Sequence, residues 1–338
     1  MDVWKSVPKD IRAACPNLSS SRTFTIQKIR EIRKEIAPSL RASVDPFDLI
    51  IAGSMGRQEA HSTSDVDAFV LLREGKSLKH HKNFAQLLLK QLSSTVKGKT
   101  INLRMAKRGT FSAFCSLEQI VSNIGGKRET NNILTRRMVL LAEAKGLGQS
   151  HDLSSIKREI VKKYLQDLQP PSDRRPIFLM NDLVRYYRTM CVDYEYKKNE
   201  SGKPWAERLM KLRHSRKLFY CSSLMPLLQS VHEKPETRVK WIQDQFVNFT
   251  PLERVIWAIT NFGQARHWDI LIHYDRFIEL MASPERRERL KQISFERRDK
   301  DADYLLLRNN SREFRSALLD LMFHVKAWRE TISNYIVL

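Results

Sequence analysis

The sequence predicts a small α/β unit with a mixed sheet, followed by an all-α helical-bundle region that fills the rest of the chain. Three observations predict this. Two short apolar runs, "FDLIIAG" (47–53) and "DVDAFVLL" (65–72), are bounded by small and polar residues, the signature of buried strands. From Thr130 onward, apolar residues recur at three- and four-residue spacing, the period of amphipathic helices. A chain of 338 residues with 42% hydrophobic content is also long enough for two domains, each with its own core.

In order along the chain, residues 22–44 place Ile26, Ile29, Ile32, Ile36 and Leu40 on one helical face. The opposite face is basic, and Pro38 is expected to kink or interrupt the helix. "FDLIIAG" is the first strand. "SMGRQEAHSTS" (54–64) has room for only a turn or two of helix, and "DVDAFVLL" is the second strand. "SLKHHKNFAQLLLKQLSSTV" (77–96) reads as a helix with Phe84, Leu87, Leu88 and Leu92 inward, and "KTINLRMA" (99–106) as a third strand. The α/β unit is expected to end near Gly125-Gly126, dividing the chain into 1–126 and 127–338.

Helices then follow in "ILTRRMVLLAEAKGL", "IKREIVKKYLQDL", "FLMNDLVRYYRTMCVDYEYKK" and "WAERLMKLRHSRKLFYCSSLMPLL". "QPPSDRRP" (169–176), with three prolines, is the clearest linker. The charged stretch "SPERRERLKQISFERRDKDAD" (283–303) reads as a solvated helix with paired charges.

Composition bounds the partners. The net charge of +21 and pI near 9.9 favour a polyanionic partner, RNA or DNA. No apolar run approaches the roughly 20 residues that span a bilayer. The N-terminal "MDVWKSVPKDIRAACP" lacks the apolar core of a signal peptide. A cytoplasmic protein without a membrane partner is the expectation. Four scattered cysteines (Cys15, Cys115, Cys191, Cys221) without a C-x-x-C pair argue against a zinc site or a disulfide framework.

The chemistry concentrates in "IIAGSMGRQEAHSTSDVDAFVLL". Along an extended chain, residues i and i+2 point to the same side, so Asp65 and Asp67 converge while Val66 turns inward. Two carboxylates at that spacing suit a hard cation that takes oxygen ligands, Mg²⁺ above all. Gly53 lets backbone N–H groups approach a phosphate, and Ser54 offers a hydroxyl donor. Metal carboxylates beside a phosphate-binding turn are the parts that transfer of a nucleotidyl group from an NTP requires. No Ser-His-Asp, Cys-His or P-loop arrangement is present.

Taken together, strand, Gly-Ser, ten residues, Asp-x-Asp and strand resemble the signature of the DNA polymerase beta-type nucleotidyltransferase superfamily. The form G-S-x-G-R-x-E-x-x-x-x-S-D-x-D most resembles that of bacterial signal-protein uridylyltransferases, and the helical segments to about residue 225 resemble those of stand-alone bacterial relatives. The resemblance implies that Gly53 and Ser54 bind the triphosphate and that Asp65 and Asp67 are catalytic and hold Mg²⁺. Arg57 contacts phosphate or pairs with Glu59 or an aspartate, and Ser64 caps or orients the carboxylates. The charge favours RNA, such as a tRNA end, as the acceptor, and the resemblance implies a protein acceptor as the rival.

One departure stands out. Many members of the superfamily use a third carboxylate on a later strand, yet between Asp67 and Glu118 this chain has only Glu74. Either a distant acid such as Glu118 or Glu129 completes the site, or two aspartates suffice, or the protein binds without catalysing transfer.

In the helical region, Lys211, Arg213, Arg216 and Lys217 of "KLRHSRK" are candidates to grip a triphosphate or an RNA backbone, with Arg213 and Lys217 four apart on one face. In 178–198, Asp182, Tyr186, Thr189 and Asp193 form a stripe beside Arg185 and Arg188. That stripe is either a solvated face or a cleft lining. Arg266 and His273 match the loose spacing of helical ribonucleases, which is weak evidence for a nuclease.

Overall fold

The computed structural model describes residues 2–41, 47–62, 64–72, 114–147, 152–166, 175–198 and 204–336. A short helix, α1 (Lys9–Ala14), leads into the long α2 (Pro16–Arg41), then β1 (Phe47–Ala52), α3 (Gly53–Arg57) and β2 (Asp67–Leu72). Next come β3 (Phe114–Ser116), α4 (Leu117–Ser122), α5 (Asn131–Ala142) and β4 (Lys145–Gly146). Beyond them lie α6 (Asp152–Tyr164), α7 (Ile177–Lys198), α8 (Trp205–Lys211), a π-helical turn (Leu212–Arg216) and α9 (Lys217–Gln229). The chain closes with α10 (Pro235–Asn248), α11 (Pro251–Phe262), α12 (Asp269–Ala282), α13 (Pro284–Gln292), α14 (Ala302–His324) and α15 (Lys326–Tyr335). A small mixed sheet followed by a mostly helical region is the class the sequence predicts.

The sheet order is β3-β2-β1-β4. β1 and β2 pair antiparallel in register from Phe47↔Leu72 to Ala52↔Asp67. β2 runs parallel to β3, and β4 closes the other edge antiparallel to β1. The strand expected in 99–106 and the helix expected in 77–96 lie outside the described residues. The two edge strands were not anticipated: three and two residues are too short to show a period.

Alternation in β1 and β2 divides the core between the two faces of the sheet. Leu49, Ile51, Val66, Ala68 and Val70 pack with Ile29, Ile32 and Ile36 of α2 on one side. On the other side Ile50, Ala52, Phe69 and Leu71 join the large apolar core of the helical region. Thus β4 and this shared core both involve residues beyond 126.

Several local expectations need correction. α2 begins at Pro16 and passes Pro38, ending at Arg41. A proline this near the helix end costs one backbone hydrogen bond and does not break the helix here. The stretch 283–303 is not one helix: α13 stops at Gln292 and a 3₁₀ turn occupies Arg298–Lys300 before α14. Its charges do pair, as in Lys291–Glu288 (2.8 Å) and Arg286–Asp303 (3.5 Å). Nor is the Asp182 stripe on α7 a solvated face. Asp182 and Tyr186 are buried, and Asp182 accepts from Tyr164 (2.5 Å) and Arg185 (2.6 Å).

Candidate active site

The site begins where β1 ends. Gly53 opens α3 with φ of +63°, and a Cβ there would overlap Asp67 Oδ2, so the close approach of turn to carboxylate requires glycine. Gly56 is equally confined: an added Cβ would lie 2.5 Å from the Glu143 carbonyl oxygen. The α3 helix ends at Gln58, whose φ is also +63°. The return to β2 is pinned by Ala60, which donates its N–H to Thr25 Oγ1 of α2 (3.0 Å). A tight turn follows, in which the His61 N–H donates to Ser64 Oγ (3.0 Å) and the Ser64 N–H to the His61 carbonyl (2.9 Å). Ser64 thereby fixes the chain immediately before Asp65.

Asp65, Val66 and Asp67 then follow the expected alternation. Val66 is buried, and both aspartates line a cavity of about 270 Å³. Gly53, Ser54, Arg57, Glu59, His61 and Ser64 line it from the same side. Across from them stand Lys211, Ser215 and Arg216 of α8 and the π-turn, Phe277, Ile278 and Met281 of α12, and Arg287 of α13. Paired carboxylates thus face a basic wall, an arrangement that accepts an anion and a cation together.

Electrostatics reinforce the polarity. Confinement of Asp67 raises its pKa above the ordinary aspartate value, with Arg216 opposing the shift and Glu143 adding to it. Burial, together with Arg287 and Lys211, pushes His61 down to about 4, so it is neutral at neutral pH. Lys211 and Arg287 both bond Glu207 Oε1, at 2.8 and 2.7 Å. Burial raises the Glu207 pKa, but these two cations outweigh it and hold the carboxyl below its usual range.

Behind the Gly-Ser turn lies an acid that the sequence reading missed. Glu143, at the C-terminus of α5, accepts the Gly53 N–H (3.2 Å) and an Arg57 N–H (2.7 Å), and Arg216 reaches it at 3.4 Å. Arg57 Nε donates to Glu59 Oε2 at 2.7 Å. Burial disfavours the charge on Glu143, but Arg57 and Arg216 hold its pKa below the usual value. Arg254 supports the α5 terminus by donating to the Ala142 carbonyl (2.8 Å). The only sequence signal was an acid ending an apolar helix, "MVLLAE".

Of the distant acids that could supply a third carboxylate, Glu118 is exposed at the start of α4. Glu129 is bound by Arg137 (2.6 Å) and Arg185 (3.0 Å). Neither lines the cavity. Among the described residues no three His, Cys, Asp or Glu side chains are gathered to hold a metal by themselves. The donor set still suits a magnesium ion bound through one or two carboxylates and completed by phosphate oxygens and water.

The predicted residues Gly53, Ser54, Arg57, Ser64, Asp65 and Asp67 come together in the cavity; Arg213 and Lys217 do not line it. Lys217 Nζ instead stands 5.9 Å from the Tyr187 ring centroid. Arg266 and His273 are not brought together either. Arg266 pairs with Asp320 (2.6 Å), and His273 Nδ1 contacts Asn310 Oδ1 (3.0 Å).

A mixed sheet carrying a Gly-Ser turn and two aspartates against a cationic wall has the parts that phosphate transfer requires. The family model of the nucleotidyltransferase domain matches residues 26–122, from within α2 to the end of α4. That segment is a nucleotidyltransferase domain of the DNA polymerase beta-type superfamily, which its motif resembles. The match concerns the domain as a whole and does not extend to the uridylyltransferases in particular. No curated protein sequence matches the chain significantly. No helix among the described residues is long and apolar enough to cross a membrane.

Proposed function

We propose that the protein is a Mg²⁺-dependent nucleotidyltransferase that moves NMP from an NTP to an acceptor, with RNA, such as a tRNA end, favoured over protein. One observation carries this reading: Asp65, Asp67 and the Gly53-Ser54 turn share a cavity with Lys211, Arg216 and Arg287. In it, Asp65 and Asp67 would hold the cation, which would supply charge neutralisation for the triphosphate. Gly53 and Ser54 offer their N–H and hydroxyl groups to phosphate, while Lys211 and Arg216 balance charge from the opposite wall. Arg57, engaged by Glu59 and Glu143, shapes the turn beneath the phosphates. The cavity is near the lower end of ligand-site volumes, about 300–1,000 Å³, so it takes the triphosphate end while sugar and base extend outward.

The charge of +21 supports a polyanionic acceptor. Arg213 and Lys217, outside the cavity lining, are assigned to the acceptor's backbone. Cytoplasmic residence and a division near residue 126, close to the end of the family match at 122, belong to the same reading.

The two-carboxylate site also favours a second reading, a binding or regulatory protein that keeps the fold with little catalysis. Labelled-NTP incorporation by wild type and by Asp65→Ala/Asp67→Ala, on RNA, protein and nucleotide acceptors, separates them. A Mg²⁺-dependent product that disappears in the double variant supports transfer. No product with any NTP, alongside a salt-sensitive RNA shift that survives both substitutions, supports binding alone.

A further inference from the structure

We propose that His214 is a positioning residue: it holds the π-turn that brings Arg216 to the cavity, and so sets affinity for the triphosphate without touching it. This rests on the reading above, in which Arg216 balances phosphate charge.

At about 100° per residue, positions five apart on an α-helix stand about 140° from each other. Lys211 and Arg216 are five apart, yet both line the cavity, and Ser215 stands between them there. The wider turn at Leu212–Arg216 supplies the change of phase. Such turns are rare and recur at functional sites.

His214 lies within that turn with no exposure to solvent. Its Nε2 is 3.1 Å from the Asn310 side-chain amide nitrogen, which donates to it. The proton therefore sits on Nδ1, which donates to the Met210 carbonyl at 3.0 Å, an added donor where the backbone ladder changes spacing. The ring is stacked on Phe277 at 4.5 Å and 6°, and lies 5.5 Å from Phe314. Phe277 itself lines the cavity. Asn310 is fixed in turn, donating to the His273 carbonyl at 2.8 Å. Two hydrogen bonds and two ring contacts thus hold one side of the turn. Arg216 emerges from its last residue, 3.4 Å from Glu143 and 3.5 Å from the Tyr186 hydroxyl. The ring is a neutral strut.

The test is a double-mutant cycle read by calorimetric binding of Mg²⁺–tripolyphosphate to the full chain, with melting curves confirming the fold. His214→Phe keeps the ring contacts and removes both hydrogen bonds; it should weaken binding about tenfold. Arg216→Gln should weaken binding at least as much, and the double variant should bind no more weakly than Arg216→Gln alone. His214→Asn, whose amide N–H replaces the Nδ1 donor, should recover most of the loss. Effects that multiply in the double variant, or wild-type binding by His214→Phe, would overturn the proposal.

If His214→Phe does not fold, Asn310→Leu takes its place in the cycle. It should give a smaller weakening that again vanishes beside Arg216→Gln, and multiplication there overturns the proposal equally. Wild-type protein that fails to bind Mg²⁺–tripolyphosphate, or Arg216→Gln that binds as wild type, removes the reading of the site itself. Multiplying effects remove only the role of His214.

Discussion

The two walls of the cavity are built on opposite principles. The acidic wall is local: Gly53, Ser54, Asp65 and Asp67 lie within fifteen residues, joined by a strand end, a short helix and a pinned turn. Their relative positions follow from strand alternation and one positive-φ glycine. The basic wall is assembled at a distance, from Lys211, Ser215, Arg216 and Arg287 on separate helical segments. Its geometry depends on a π-turn and on Glu207, which holds both Lys211 and Arg287. The lesson is that one wall fixes its chemistry through covalent spacing, and the other through packing. Substitutions should therefore act differently on them: abruptly on the first, gradually on the second.

The largest effect expected is on the acidic wall. Asp65→Asn or Asp67→Asn should lower nucleotidyl transfer by about a thousandfold or more, since a cation ligand and its transition-state charge balance go together. Steady-state transfer with Mg²⁺ and each NTP checks this; activity within tenfold of wild type would remove both aspartates from the site.

Next comes the support beneath that wall. Arg57→Gln leaves Glu59 and Glu143 buried without their shared partner. Breaking a buried pair costs about 3–5 kcal/mol, so urea unfolding should show a loss of that order. A loss near zero would mean that water replaces the guanidinium.

Gly53→Ala should follow, because the added methyl overlaps Asp67 Oδ2 and the residue's φ is +63°. Backbone strain of this kind costs about 1–3 kcal/mol. Cation binding, followed with Mn²⁺, should weaken about tenfold or more while the helical region keeps its circular dichroism.

A subtler test uses protons. The folded-state pKa of Asp67 is raised above the value the unfolded chain has. Its contribution to stability is therefore present below the ordinary aspartate pKa and is lost as pH rises through the raised folded value. Above that raised value the metal-free protein carries Asp67 ionised at a cost, so there Asp67→Asn should melt at a modestly higher temperature than wild type even as activity vanishes. The melting gap should close toward acid pH; a gap that widens there would reverse the assignment.

The smallest effect separates the two faces of the basic helix. Arg213→Gln/Lys217→Gln should leave the KM for NTP within about twofold of wild type and weaken an RNA acceptor in a salt-dependent way. A selective rise in the NTP KM would return those residues to the triphosphate.

This contrast also explains what the sequence disclosed. β1, β2 and the aspartates were legible because a period-two pattern and a two-residue spacing are local properties of the chain. β3 and β4 were not, being shorter than any period. Glu143 could not be associated with the Gly-Ser turn, because 90 residues separate it from Gly53 and only the fold brings its carboxylate to that N–H. Arg213 and Lys217 were favoured because an uninterrupted α-helix puts them on one face. The π-turn changes the phase and turns Lys211, Ser215 and Arg216 to the cavity instead. The charged stripe on α7 stayed open between a solvated face and a cleft lining, because periodicity cannot tell exposure from burial when Asp182 has Tyr164 and Arg185 for partners.

The position of Glu143 also bears on modularity. The nucleotidyltransferase match ends at residue 122, but Arg57 in the motif's turn takes one of its two buried counter-charges from residue 143. An excised 26–122 fragment would carry the full motif and leave Arg57 with Glu59 alone. The hereditary unit and the physical unit of this enzyme therefore have different borders, and transplanting the motif to another scaffold means carrying a glutamate from beyond it.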